Sequence, residues 1–160
     1  MSPTEITGHH DGAGLRVGIA VARFNEYVTR ELLQGAIERL AELGVDDDNV
    51  TVAWVPGSFE LATAARDMIS ANGGSMDAVI CLGAVIKGET AHFEHVAQGA
   101  TDGITRVGAD TGKPIVFGVL TTYTTDQAMI RADRNAQNLG AEYADTAVEM
   151  ANLHKALTDL

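Results

Sequence analysis

The stretch "AVICLGAVIKGETAHFEHV", Ala78 to Val96, changes character halfway along. Its first nine residues form an unbroken apolar run, the pattern of a strand buried on both faces. From Phe93 onward the apolar residues recur at helical spacing, with Phe93, Val96, Ala97, Ala100, Ile104 and Val107 on one stripe. Between the two, Lys87, Gly88, Glu89, Thr90 and His92 crowd into six residues. A buried strand feeding an amphipathic helix is half of a βαβ unit. The polar cluster then sits at the carboxyl edge of a parallel sheet, where α/β proteins bind ligands.

The pattern repeats outward from this junction. Three more apolar runs read as buried parallel strands: Leu15–Val21, Val50–Val55 and Ile115–Leu120. Leu33, Ala36, Ile37, Leu40 and Leu43 make one helical stripe, stopped by Gly44. Phe59, Ala62, Ala65 and Ile69 make another, ending at Gly73-Gly74. A short helix near Asp126–Ala132 and a long one over about Ala141–Leu157, striped by Ala144, Ala147, Val148 and Ala151, follow the last strand. Right-handed crossovers then give one α/β domain of three αβα layers, a four-stranded parallel sheet with helices on both faces. Residues 1–14 read as an N-terminal arm and residues 15–160 as the single domain.

Charge narrows the partners. Eleven Lys and Arg against 22 Asp and Glu give a net charge of −11. That field repels phosphate backbones and anionic lipids, which argues against nucleic-acid or membrane binding. Any bound phosphate must be held by local donors. The single cysteine, Cys81, excludes an intrachain disulfide and reads as a small buried thiol. The opening "MSPTEITGHHDGAG" has no apolar run for a signal peptide, and no span reaches transmembrane length, so a cytoplasmic protein is expected.

The four strand ends on the carboxyl side are "ARFN" (Ala22–Asn25), "PGSFE" (Pro56–Glu60), "KGETAH" (Lys87–His92) and "TTYT" (Thr121–Thr124). The opposite ends, "LGVDDDN", "NGGSMD" and "DTGKP", read as turns. Gly88 permits close backbone approach or positive φ. A helix starting near Thr90 would offer an anion its free amides, with Lys87 as a further charge; equally, Thr90 would be an ordinary N-cap. His92 suits proton transfer in a carbonyl–amine condensation, or is a plain surface histidine. His92 and His95 share a face at i, i+3, but no carboxylate or cysteine pattern completes a metal site, so none is assigned. Phe24 fits either a stacking platform or a plug over the core. Glu60 would grip hydroxyls or simply favour a helix start, and Arg131 and Arg134 suit a phosphate or surface ion pairs.

In order and spacing, "RFN", "VPGSFELATAA", "GAVIKGETAHFEHV", "GVLTTYTTDQAMIRA" and "GAEYADTAVEMANL" resemble the lumazine synthase family over about Leu15–Leu157. The resemblance implies a flavodoxin-like fold and a step of riboflavin biosynthesis without cofactor or metal. In that step 5-amino-6-(D-ribitylamino)uracil and 3,4-dihydroxy-2-butanone 4-phosphate give 6,7-dimethyl-8-ribityllumazine. It implies His92 as the proton-transfer residue. Phe24, Ser58, Glu60, Ala84, Ile86, Phe117 and Leu139 would bind substrate, and Gly88, Glu89, Thr90 and Arg131 the phosphate. Phe117 and Arg131 would come from a neighbouring subunit of a homo-oligomer, a pentamer that in some members builds an icosahedral shell, with riboflavin synthase a candidate partner. The sequence departs from the family at Leu139, where a lysine is usual, at Tyr123, where an acid or amide is usual, and at Asp133, where glycine is usual. Leu139 and Tyr123 keep open a non-catalytic shell-forming or flavin-binding scaffold. An archaeal-type riboflavin synthase would share the architecture, but the full His92 and Phe24 motifs argue against it.

Overall fold

The computed structural model describes residues 1–160. Four strands, β1 (Val17–Ala22), β2 (Val50–Val55), β3 (Ala78–Ile86) and β4 (Ile115–Thr122), form one all-parallel sheet in the order β2-β1-β3-β4. Five helices accompany them: α1 (Glu26–Glu42), α2 (Leu61–Ser70), α3 (His92–Thr111), α4 (Thr125–Ala132) and α5 (Leu139–Thr158). This is the three-layer flavodoxin-like architecture.

The side-chain period of two divides each inner strand between two cores. Val17, Ile19 and Val21 of β1, with Ile80, Leu82 and Ala84 of β3, pack under α1, α4 and α5. Ala20, Ala22, Val79, Cys81 and Val85 face the other way, against α2 and α3. Both faces are covered, which is why β1 and β3 carry no polar residue.

Two expectations from the sequence need correction. β2 has the expected bounds, but only Val55 of its six residues is buried. The strand order leaves β2 at the edge of the sheet, where its outer backbone groups are unpaired. Phe59 does not join the core stripe of α2. A 3₁₀ turn at Ser58–Glu60 breaks the helical period ahead of α2, and the Phe59 ring is left 62% exposed. In α1 the fully buried stripe is Val28, Leu32, Ala36 and Leu40, with Leu33, Ile37 and Leu43 packed at its margin.

The arm has no regular secondary structure and Met1–Glu5 are exposed. Its last residues lie on the domain. Asn152 of α5 donates to the carbonyl oxygens of His9 and Asp11, each at 2.9 Å, and the Gly12 N–H donates to Leu43 at 2.8 Å. No helix is long and apolar enough to cross a membrane.

Candidate active site

Three of the four carboxyl-side loops converge. After β1, the Arg23 N–H donates to the Val55 carbonyl at 2.8 Å and the Phe24 N–H to that of Pro56 at 3.0 Å, tying "ARFN" to "PGSFE". Asn25, in the left-handed region at φ 60°, sends Nδ2 to the carbonyl oxygen of Ala84 on β3, 2.8 Å away. These bonds fix the Phe24 ring outward, 72% exposed. Ser58 is buried against β3, where any side chain in place of Gly83 would collide with its hydroxyl. Glu60 follows at the start of α2 and is exposed.

The third loop enters α3. The helix begins at His92, close to Thr90 as expected, but its cap residue is Ala91, which has helical dihedrals and offers no side-chain cap. Thr90 is therefore not the N-cap. Its Oγ1 instead accepts from the His92 N–H at 3.4 Å. The first amides of a twenty-residue helix are thus left largely uncapped at an exposed edge, with the positive end of the helix dipole behind them. Gly88 has an ordinary negative φ, so the positive-φ reading fails. Nothing lies within 4 Å of where a side chain would stand there, so the backbone faces open space.

Together these loops enclose a cleft of about 740 Å³. Phe24, Ser58, Glu60, Ala84, Ile86, Gly88, Thr90 and His92, all singled out from the sequence, line it. The cleft thus has an aromatic face, a hydroxyl and a carboxylate, and at one end uncapped amides beside an imidazole. The profile of the 6,7-dimethyl-8-ribityllumazine synthase family matches this chain over residues 14–155. The chain belongs to the lumazine synthase family. Membership connects it to riboflavin biosynthesis and to enzymes acting on small molecules.

The remaining residues marked from the lumazine synthase resemblance lie elsewhere. Glu89 is exposed and does not line the cleft. Phe117, 39% exposed, lines a second hollow of about 350 Å³ with Phe93, Gln98, Thr121 and Tyr123. Arg131 stays on α4, its Nη1 donating to the Gln127 carbonyl at 2.9 Å. Beside it, burial pushes the Tyr143 hydroxyl up to about 12, Glu142 adds to the shift, and the Arg131 charge opposes it. Leu139 opens α5 and packs against the core under α1. Arg134 is committed to Glu31 (3.3 Å) and Glu38 (2.7 Å) of α1.

Lys87, read as an extra charge beside an anion, does not line the cleft. Its Nζ lies 5.6 Å over the Tyr123 ring. No group of three His, Cys, Asp or Glu side chains is placed to hold a metal, so His92 and His95 gain no third ligand. Sequence reasoning missed His95 and Phe59 as lining residues. His95 was legible as the helical neighbour of His92. Phe59 was hidden by the 3₁₀ turn, although a close approach to Gly99 on α3 now accounts for its position.

Proposed function

We propose that the chain catalyses the condensation of 5-amino-6-(D-ribitylamino)uracil with 3,4-dihydroxy-2-butanone 4-phosphate. The products are 6,7-dimethyl-8-ribityllumazine, inorganic phosphate and two waters. The observation that carries this reading is the joint lining of one cleft by Phe24, Ser58, Glu60 and the uncapped start of α3 with His92. An exposed phenyl ring suits stacking on a planar pyrimidine. Ser58 and Glu60 suit the ribityl hydroxyls, and Ala84 and Ile86 flank the ring from β3. The amides from Gly88 to His92, with the Thr90 hydroxyl, suit a phosphate at a helix N-terminus.

The chemistry needs orientation and proton movement rather than a strong nucleophile. The amine on the pyrimidine attacks the butanone carbonyl, and water leaves as the imine forms. Phosphate then departs by elimination, and the second amine closes the ring with loss of the second water. His92 opens α3 and lines the same cleft, so on this reading it takes the proton-transfer role beside a phosphate held by the α3 amides.

Phe117, Arg131 and Leu139 fall outside the cleft within one chain. On this reading a second copy supplies Phe117 and Arg131, and the site is completed between adjacent subunits. The arm, residues 1–14, would reach the open edge of a neighbour's β2 through the residues before Gly8. Incubating the protein with both substrates tests the reaction: lumazine and inorganic phosphate should appear in equal amounts. Binding without turnover, or riboflavin made from lumazine alone, overturns it.

A further inference from the structure

The segment from Lys87 to Ala91 is exposed and lightly tied. At its start the Lys87 N–H donates to the Thr122 carbonyl at 2.9 Å, and at its end the His92 N–H reaches Thr90 Oγ1 at 3.4 Å. Tyr123 follows Thr122 at the end of β4. Its N–H donates to Gln127 Oε1 at 2.9 Å, which pins its backbone to the first turn of α4. The Tyr123 side chain is 68% exposed, yet it touches the loop on both flanks. The Lys87 ammonium lies 5.6 Å over its ring, and the Phe93 ring lies 6.4 Å away, tilted by 40°. Lys87 precedes the loop and Phe93 follows it.

From this bracketing we infer that Tyr123 is a staple across the Gly88–His92 loop. It is a positioning residue that fixes the loop's amide donors without touching the ligand. An ammonium over an aromatic face and a tilted pair of rings are both attractive contacts, and both need a ring at position 123. A smaller or aliphatic side chain cannot hold both flanks. The staple also explains where the Lys87 charge goes: it is drawn to the outer side of the loop, away from the cleft. The functional half of this inference rests on the proposed phosphate reading; the structural half stands alone.

Amide hydrogen exchange on the full-length assembled protein, with and without inorganic phosphate, separates the two. In Tyr123→Leu, exchange across Gly88–Phe93 should quicken by about three- to tenfold, the scale of losing one or two weak aromatic contacts. Protection of those amides by inorganic phosphate should fall by a similar factor. KM for the butanone phosphate should rise with it, while KM for the pyrimidine stays within about twofold. Tyr123→Phe keeps the ring and should restore all three. Unchanged loop exchange in Tyr123→Leu overturns the staple whatever the kinetics do. Faster exchange with undiminished phosphate protection overturns the positioning role. If phosphate protects none of these amides in the unsubstituted protein, the phosphate reading fails, and the exchange difference between Leu and Phe still decides the staple.

Discussion

Asn25 Nδ2 reaches the carbonyl oxygen of Ala84 across 2.8 Å, which fastens the loop carrying Phe24 to the strand that leads into Gly88. Asn25 also holds a left-handed backbone, φ 60°, that asparagine tolerates better than alanine. Asn25→Ala should therefore lose both a hydrogen bond and a compatible backbone, at a cost of about 1–3 kcal/mol. Asn25→Gly, which loses only the bond, should cost less. Urea midpoints measure the difference, and equal midpoints for all three proteins would contradict the account.

His92 and His95 line the same cleft one helical turn apart. Only His92 adjoins the Gly88–Thr90 loop. His92→Asn should lower kcat by about 10- to 10⁴-fold with folding intact, the span expected for a lost proton-transfer group. His95→Asn should change kcat far less. Small, equal effects from both would remove His92 from its role.

With a net charge of −11, the proposed phosphate site would depend on local donors. Arg131→Ala should raise KM for the butanone phosphate by roughly tenfold or more, the scale of one charge-assisted contact. Leu139→Lys should lower it. Arg134 is held by Glu31 and Glu38, so it is not free to take over from the lysine usual at position 139. Arg134→Ala should leave that KM unchanged. A large rise in KM for Arg134→Ala would mean that the ion pairs release it to the ligand.

Alkaline stability has a defined sign. Burial pushes the Cys81 thiol from 9.0 up to about 12, and burial, ahead of Glu142, pushes Tyr143 from 10.0 up to about 12. Both folded values lie above the unfolded ones, so above pH 9 the unfolded chain releases protons that the folded one retains. Stability from these groups is complete below about pH 9 and is lost as pH rises toward 12, with a limiting slope of about 1.4 kcal/mol per pH unit per group. Cys81→Ala should flatten the first part of that decline in urea titrations at pH 9 to 10. An identical slope in the variant would show that the thiol is not the source.

The arm offers a test of assembly. Only its last residues are bonded to the domain, through Asn152, Leu43 and the pairing of His10 with Glu149 at 3.4 Å. Deleting Met1–Asp11 should weaken the oligomer more than it lowers the melting temperature. Light scattering that reports an unchanged particle would reject the edge-strand role.

β1 and β3 were legible because burial on both faces removes polar residues: β3 begins and ends where its apolar run does, at Ala78 and Ile86. The edge position of β2 was not, because strand order is decided by contacts between distant segments. Phe24, Ser58, Glu60 and His92 could be grouped because chain topology delivers all carboxyl-side loops to one edge. The directions of long side chains escaped the sequence. Lys87 turns to Tyr123 and Arg134 to α1, each choosing a partner over thirty residues away along the chain.

Arg131 and Phe117 sit outside the cleft that His92 lines. If neighbours complete one another's sites, the contact is head-to-tail and closes only as a ring. Each chain then lends groups to one neighbour and borrows from the other. A lesion at Arg131 harms the neighbour's reaction and spares the chain's own cleft, while a lesion at His92 does the reverse. Two such defective gene copies, expressed together, would build mixed rings in which some junctions pair an intact His92 with an intact Arg131. The unit on which selection acts is then the junction between chains, and a defect in one copy is partly masked by the sound half of another.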